Sequence, residues 1–452
     1  MRIELQVIGA SLRSIADEMG AALVRSAFSA NIKERRDCST ALFDARGRMV
    51  AQAEHIPVHL GALPDAVAAV QAHDPAPGEA WILNDPFAGG THLPDITLVT
   101  CTRTGFAVTR AHHADVGAAE PGSLPADSRR LEEEGVVIPP TRLDDDILDE
   151  LVSQMRNPDE RRGDLRAQLA AHGLAERRVD ELCERRGQET VEAAMDELHD
   201  YSERLVRTAI ARLPDGRFEA ADVLEPAGGG ELELHAAVTV DGDELEIDFA
   251  GTAAQHDGNL NCPLAVTRSA CYFVVRCLTD PDVPASGGAF VPVPAQGQGT
   301  MNNLTLGNDR VSYYETVGGG QGACPDAEGP SGVHVAMSNT LSTPTEALEL
   351  AYPVRVERHE LRLGSGGAGE HRGGDGVVRE LRVLEDCRLS LVGERRTRAP
   401  QGARGGEPGL PGRNRLNGEQ LPAKVTRGLR AGDVVRVETP GGGGYGPVQN
   451  RQ

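Results

Sequence analysis

Apolar side chains recur every three or four residues at the start of the chain, and this spacing predicts a helix from about residue 4 to residue 30. The apolar positions are Leu5, Ile8, Leu12, Ile15, Met19 and Leu23. The pattern changes over residues 40–50, where apolar runs on both sides of Asp44 to Gly47 predict a β-hairpin. Trp81 to Leu83 is a further short apolar run, which is typical of a buried strand.

The middle of the chain changes from helical spacing to strand alternation. Residues 144–213 combine dense charge with Leu, Val and Ala at helical spacing, which predicts two or more helices with breaks near Gly163 and Gly173. The apolar runs 232–240 and 245–249 then flank Asp241-Gly242-Asp243. An Asp-Gly pair between two such runs favours a hairpin turn.

The last part of the pattern sets the expected fold class. Residues 264–278 return to helical spacing, whereas the chain from about residue 299 is glycine-rich and strand-like. We therefore predict an α+β protein, with an N-terminal mixed α/β region that carries a helical insertion and a mainly β C-terminal half. A chain of 452 residues exceeds one ordinary core. The predicted regions are residues 1–143, 144–213, 214–298 and 299–452.

Charge and cysteine usage restrict the partners and the compartment. The formal net charge of −22 argues against a nucleic-acid partner and against anionic membrane surfaces, because both need a basic face. No run of about 18 apolar residues predicts a membrane span, and the acidic start of the chain does not resemble a signal peptide. The eight cysteines form no CxxC pair, so we expect reduced thiols and a cytoplasmic protein.

Histidines and aspartates gather at both ends of a predicted hairpin between residues 92 and 115. If strands 96–101 and 106–109 pair antiparallel, the numbers of facing residues add up to 207 or 208. Asp95 then faces His112 or His113, and His92 lies one step further out, near Asp115. Imidazoles and carboxylates are ligands for Zn, Mn or Fe(II). A metal site is therefore predicted, and a polar network that caps the hairpin is the alternative.

Other polar residues near this hairpin are candidates for roles around the metal. Three of them would orient the metal ligands from behind or serve as alternative ligands. They are Asp85, Asp115 and the one of the two adjacent histidines that does not bind the metal. Glu34 and Asp37 belong to a charged stretch after the first helix and are candidate acid–base groups. A solvated helix end would explain the same stretch.

Two further segments are candidates for substrate binding. His55 and His59 lie four residues apart in an extended segment, where a structural role is the default. Tyr314 and Glu315 lie in a strand that ends at Gly318-Gly319-Gly320. Those glycines allow the backbone to approach a ligand closely, and a plain tight turn would need them equally.

Nucleotide-binding motifs are absent from the sequence. The two lysines, Lys33 and Lys424, lie outside the glycine-rich runs, so a P-loop is excluded. The runs at 364–369 and 441–444 lack the strand–turn–helix setting of a dinucleotide fold. If the reaction uses ATP, we expect another chain to bind it. A Gly-x-Ser-x-Gly motif is also missing, so a serine hydrolase is not supported.

Several motifs resemble the hydantoinase B/oxoprolinase family, and the similarity runs nearly end to end. The matching segments are residues 29–35, 51–61, 84–95, 113–117, 121–123, 163–168, 314–316 and 438–446. The resemblance implies an enzyme subunit that works with a larger A-type partner, which binds ATP. The pair opens cyclic amides such as hydantoins or 5-oxoproline. A related branch carboxylates ketones, and its similar chain holds a divalent metal at positions that map onto His92, Asp95 and His112.

The chain departs from the family pattern in several places. A long additional segment usually stands between Val293 and Gln296, and it is missing here. Ala336 also replaces a second histidine that commonly follows His334, so we discount His334 as a ligand. We predict a B-type subunit that opens the amide ring with a metal-activated water. A ketone carboxylase subunit and a non-catalytic scaffold chain are the alternatives.

Overall fold

The computed structural model describes residues 3–54, 56–59, 61–278, 294–299 and 302–448. Its N-terminal part is built on a six-stranded antiparallel sheet with strand order β2-β1-β5-β4-β3-β6. The strands are β1 (Cys38–Asp44), β2 (Met49–Glu54), β3 (Ala80–Leu83), β4 (Asp95–Cys101), β5 (Gly105–His112) and β6 (Thr141–Arg142). The predicted hairpin at Asp44 to Gly47 is confirmed, since β1 and β2 flank it.

Helices cover both faces of this sheet. The N-terminal helices are α1 (Ile3–Ser26), α2 (Ala30–Lys33), α3 (Ala62–Gln71), α4 (Asp145–Ser153), α5 (Pro158–Arg186) and α6 (Gln188–Ile210). The helices α1, α5 and α6 share one apolar core with β1, β2 and β5. On the opposite face, α3 packs against β1, β3, β4 and β5. The helical residues 144–213 thus pack against the N-terminal sheet.

The predicted helix breaks at Gly163 and Gly173 are wrong, because both glycines lie inside α5. At Gly163 the missing side chain makes room for a neighbour, since an added Cβ would lie 2.5 Å from Cδ2 of Phe28. The break comes instead at Gly187, whose φ of +88° ends α5 and precedes α6. A positive φ is readily adopted only by glycine. The Gly163 position therefore serves packing.

A small sheet and a helix follow the helical segment. The sheet contains β7 (Gly216–Leu224), β8 (Leu232–Asp241) and β9 (Glu244–Asp248) in sequential order. The predicted hairpin of β8 and β9 is confirmed, and β7 was missed because its side chains are mostly exposed and give little alternation. Helix α7 (Leu264–Cys277) was predicted. It contacts the N-terminal part through Ser269 Oγ, which accepts from Gly61 N and donates to Val58 O.

The C-terminal half contains two antiparallel sheets that enclose one apolar core. One sheet has the order β11-β10-β14-β17 and the other β12-β13-β18-β15-β16. The elements are β10 (Asn302–Gly307), β11 (Ser312–Val317), α8 (Thr345–Ala351), β12 (Val354–Arg362), β13 (Gly376–Val383), β14 (Cys387–Val392), β15 (Arg413–Leu416), β16 (Glu419–Leu421), β17 (Lys424–Leu429) and β18 (Val434–Glu438). The predicted α+β class with a mainly β C-terminal half is confirmed.

Glycine loops cross one another beside these sheets. A Cβ on Gly320 would lie 2.1 Å from the carbonyl oxygen of Gly374 and 2.3 Å from the nitrogen of Gly442. The close approach that these glycines permit is therefore to other backbone segments of the chain. Among the described helices, none is long and apolar enough to cross a membrane.

Candidate metal centre

The register of one hairpin brings the central residues of the site together. Asp95 opens β4 and pairs with His112 at the end of β5, so the facing numbers add up to 207, as one of the two predicted registers requires. Successive side chains of a strand point to opposite faces of the sheet. His113 therefore points away, and its Nε2 lies 3.0 Å from Oε1 of Gln168. Of the two adjacent histidines, His112 is the one beside Asp95.

The Asp95 carboxylate lies at the centre of three imidazoles. His92 Nδ1 is 3.0 Å and His59 Nε2 is 3.4 Å from Oδ2 of Asp95, while His112 Nδ1 is 3.3 Å from Oδ1. Thr91 donates its hydroxyl to Oδ2 at 2.5 Å. The Asp95, His59 and His112 side chains are almost fully buried, whereas His92 is 31% exposed. The centre is thus reached from solvent on the His92 side.

Two overlapping donor sets share Asp95. His92, Asp95 and His112 offer one set of ligand atoms within 4.8 Å of one another, and Asp37, His59 and Asp95 offer a second. Asp37 reaches the centre because it immediately precedes β1, and its carbonyl accepts from the backbone nitrogen of His112 at 3.0 Å. His59 was predicted only as a substrate contact. The sequence signal for its place here was weak, since His59 is one of two histidines four residues apart ahead of α3.

Neighbouring side chains fix the orientation of the rings. The Tyr314 ring stacks on His112 with centroids 4.2 Å apart and an interplanar angle of 14°. Ser39 Oγ lies 2.9 Å from Nδ1 of His59, which leaves Nε2 turned toward Asp95. Arg35 is fully buried and donates to the carbonyl of Tyr314 at 2.7 Å and to Thr340 Oγ1 at 2.9 Å. These contacts connect the N-terminal hairpin to β11.

Burial and charge perturb the ionisable groups of the centre. Burial lowers the pKa of His112 to about 3 and also lowers the pKa of His59, so both rings are neutral at pH 7 and keep a lone pair for a ligand. Burial also opposes protonation of His92, yet the nearby Asp95 carboxylate outweighs it and raises the His92 pKa. Burial raises the pKa of Asp37 to about 7, against the opposing charge of Arg35.

These residues fit a divalent cation. Nε2 of His112 is buried and has no hydrogen-bond partner in the described parts of the chain, and the buried Oδ1 of Asp95 faces Nδ1 of His112 at 3.3 Å. Buried polar atoms without partners are costly and are usually explained by an ion or a water. Neutral imidazoles with carboxylates are the ligand chemistry of Zn, Mn and Fe(II). The donor types, their spacing and the unpartnered His112 nitrogen therefore all fit a divalent-cation site.

Several predicted site residues lie outside the cluster. Glu34 caps the C-terminus of α2, and Asp85 caps the short 3-10 helix Pro86–Ala88 by accepting from the nitrogen of Phe87. Glu315 pairs with the buried Arg379 at 3.1 Å. His55 lies outside the described residues, so its predicted role is still a prediction.

The prediction that His92 lies near Asp115 is wrong. Asp115 accepts from the nitrogens of Gly117 and Gly122 and pairs with Arg156 at 3.0 Å. Asp115 lies beyond the end of β5, so the strand register does not apply to it. The Asp115 carboxylate instead stabilises the loop that follows β5. His92 instead packs beside the His112 ring, with centroids 4.8 Å apart.

Comparison with known proteins now adds to this geometry. The sequence profile of the hydantoinase B/oxoprolinase family matches residues 1–294 and 291–448. The chain belongs to the hydantoinase B/oxoprolinase family. The 5-oxoprolinase 1 of Arabidopsis thaliana is 35% identical over 527 aligned positions, which cover 98% of this chain and 42% of that protein. The chain thus spans less than half of that relative.

Two solved structures share the fold across nearly the whole chain. The ATP-dependent caprolactamase from Pseudomonas jessenii has a TM-score of 0.89 and 25% identity, covering 98% of this chain and 91% of that one. The nucleotide-free acetone carboxylase has a TM-score of 0.87 at 16% identity and covers 100% and 76%. The second likeness concerns the fold alone. Proteins similar to this chain thus include ones named 5-oxoprolinase and ATP-dependent caprolactamase.

The comparisons also bear on the predicted missing segment. The alignment with the Arabidopsis relative has 527 positions, which is 75 more than the 452 residues of this chain. The two stretches that match the family profile meet at residues 291–294. This is the place where the sequence predicts that a segment is missing, and residues 279–293 lie outside the described part of the structure.

Proposed function

We propose that this chain is the B-type subunit of an ATP-dependent cyclic amide hydrolase of the hydantoinase or 5-oxoprolinase type. The observation that carries the proposal is the buried Asp95 carboxylate with three histidines around it, in a member of a family whose relatives bear the names 5-oxoprolinase and caprolactamase. The substrate is a small cyclic amide. No particular ring is favoured by the residues of the centre.

The proposed metal ligands are His92, Asp95 and His112. A divalent cation held there, Zn, Mn or Fe, would supply a water of lowered pKa. The stacked Tyr314 ring keeps His112 in place, and the Thr91 hydroxyl holds one carboxylate oxygen of Asp95. The exposed side of His92 is where we expect the substrate to approach, because the other members of the centre are buried.

Asp37 is the proposed acid–base residue. Its carboxylate lies with His59 and Asp95, whereas Glu34 caps a helix and is not part of either donor set. A carboxylate in this position can take a proton from the attacking water and return it to the ring nitrogen as the amide bond breaks. His59, whose Nδ1 lies 2.9 Å from Ser39 Oγ, is the neutral member of this second donor set.

ATP is proposed to bind to an A-type partner subunit. Of the two lysines in this chain, Lys424 is held by Glu394 and backbone carbonyls, and Lys33 is exposed on α2. Transfer of the γ-phosphoryl group of ATP to the amide oxygen by the partner would turn a poor electrophile into a good one. Ring opening would then leave an acyl phosphate, which a second water would hydrolyse to the carboxylate and inorganic phosphate. The two reactions would then take place in different chains, with phosphoryl transfer from ATP in the partner and ring opening in this chain.

The test is substrate-dependent ADP release by the purified pair of subunits. Hydantoin, 5-oxoproline and caprolactam are offered in turn, each with ring-opened product measured alongside ADP. We expect ADP and product in equal amounts with at least one of them, and no product with Asp95→Asn. ADP release that requires both a ketone and bicarbonate would identify a carboxylase instead. A wild-type pair that binds metal yet turns over none of these compounds would contradict the proposal.

A further inference from the structure

Three buried polar residues form a row along α5, on the side that packs against the sheet. Asp164, Gln168 and His172 are four residues apart, so they share one face of the helix. Each side chain is at most 2% exposed. Burial of polar groups is unfavourable unless they are hydrogen-bonded, and all three have hydrogen-bond partners in β4, in β5 and its C-terminal extension, or in the turn before α2. Asp164 also lies 3.5 Å from the buried guanidinium of Arg161 in α5.

This row lies behind the metal centre. Ile96 and Leu98 of β4 pack with α4 and α5 in one apolar core. Because strand side chains alternate, Asp95 points to the other face, toward α3. The helix α5 therefore contacts the strands that carry the ligands without contacting the ligands themselves.

Gln168 joins the two strands at the positions next to the ligands. Its Nε2 donates to the carbonyl of Ile96 at 3.2 Å, and its Oε1 lies 3.0 Å from Nε2 of His113. Ile96 follows Asp95, and His113 follows His112. One amide group thus bridges the neighbours of two proposed ligands across the hairpin.

Asp164 holds the segment that leads to Asp37. Its Oδ1 accepts from the backbone nitrogens of Phe28 and Ser29 at 2.7 and 3.1 Å. Ser29 is the N-cap residue of α2, and the carbonyl of Asn31 within α2 accepts from the backbone nitrogen of Asp37 at 3.0 Å. Asp164 is therefore connected to Asp37 by two hydrogen-bonded contacts and the short backbone segment of α2 between them.

We propose that Gln168 and Asp164 are positioning residues that act from the opposite face of the sheet. They fix the spacing of the backbone segments that carry Asp37, Asp95 and His112. This inference rests on the proposed metal centre. Residues that orient metal ligands from behind typically change metal affinity by about 10- to 100-fold when they are replaced. Gln168 and Asp164 act one residue or one turn further from the ligands, so the lower end of that range is expected.

His172 is a matched control on the same row. It is as buried as the other two, and its ring nitrogens lie 2.6 Å from Thr100 Oγ1 and 3.0 Å from Thr109 Oγ1. Thr100 is five residues beyond Asp95 along β4. The loss of His172 therefore removes two buried hydrogen bonds between α5 and the sheet and touches neither Ile96 nor His113. Thr109 Oγ1 keeps the Gln168 amide as a partner at 3.2 Å.

The experiment loads the full chain and its variants with Co²⁺ and measures affinity, visible absorption and the urea midpoint of unfolding. We expect Gln168→Met and Asp164→Leu to weaken Co²⁺ binding about tenfold and to shift the absorption bands, which report ligand geometry. Asp164→Asn keeps an acceptor for Phe28 and Ser29 and should restore both. His172→Leu should lower the urea midpoint as much as Gln168→Met and leave Co²⁺ affinity within about twofold of the wild type.

Equal weakening by His172→Leu, or a Gln168→Met variant with wild-type affinity and bands, would overturn the inference while the metal centre stands. If Gln168→Met does not fold, Gln168→Glu serves instead, because it keeps the shape and replaces the donor to Ile96 with an acceptor. A wild-type chain that binds neither Co²⁺, Zn²⁺ nor Mn²⁺ would overturn the metal centre and the positioning roles together.

Discussion

Asp37→Asn is the substitution that separates proton transfer from metal binding at this centre. Asparagine has the shape of aspartate and keeps one oxygen, but it cannot take a proton from water. The Asp37 carboxylate belongs only to the second donor set, whereas His92, Asp95 and His112 form the first. We therefore expect the variant to keep its metal and to lose its turnover.

The size of the loss follows from the proposed role. A positioned general acid–base group contributes on the order of 10²–10⁴ in rate, which corresponds to about 3–5 kcal/mol in the barrier. Burial raises the pKa of Asp37 to about 7, and a bound cation would lower it again by favouring the carboxylate. The wild-type rate should therefore fall about tenfold per pH unit on an acidic limb below pH 7, and Asp37→Asn should lack that limb.

The assay measures kcat from pH 5 to 8 with both subunits, together with metal content at each pH. Glu34→Gln is the matched control, because Glu34 lies three residues away, caps α2 through its backbone nitrogen, and has a carboxylate outside both donor sets. It should leave kcat within about twofold. The reasoning is refuted if Asp37→Asn retains more than a tenth of the wild-type kcat. Loss of the metal together with activity would instead make Asp37 a ligand.

Three further substitutions test the surroundings of the centre. Asp95→Asn removes the carboxylate shared by both donor sets, so stoichiometric metal should disappear from the purified protein by elemental analysis. Tyr314→Leu removes the ring stacked on His112 and should weaken metal binding about tenfold in a competition titration, whereas Tyr314→Phe keeps the ring and should match the wild type. Burial lowers the pKa of His172 to about 3, so the unfolded chain binds the extra proton between pH 6.5 and pH 3 and stability falls as the pH falls through that window. His172→Gln should therefore remove roughly 2 kcal/mol of the stability lost between pH 6.5 and pH 5, as followed by urea unfolding; an unchanged pH dependence would show that His172 does not cause it.

The core of the candidate site was accessible from sequence because one hairpin builds it. Antiparallel pairing has a fixed arithmetic, so the numbering alone narrowed the partner of Asp95 to His112 or His113. His112 and His113 point to opposite faces of the sheet, so the choice between them depends on which helix covers each face. The two helices, α5 on one face and α3 on the other, are distant from the hairpin or from each other in sequence, and local spacing does not reveal their places. The resemblance to the family supplied that choice.

The remaining site residues could not be predicted, because long-range contacts place them. His59 joins Asp95 only since the segment before α3 folds back over the sheet, and Arg35 reaches Thr340 across 305 positions of sequence. Local rules also misled at α5. Gly163 suggested a helix break by its propensity, yet the close packing of Phe28 against this position of α5 outweighs that preference.

The missing segment leaves the proposed centre intact, and this bears on the alternative of a scaffold chain. The side chains around Asp95 come from residues before 113 and from Tyr314, so both sides of the gap near residue 293 contribute and neither contribution is lost. The buried Asp37 carboxylate and the unpartnered Nε2 of His112 are costly to keep in a folded protein. A chain that served only as a scaffold would gain stability from apolar replacements at these positions. The centre is therefore better explained by binding a cation than by holding the fold together.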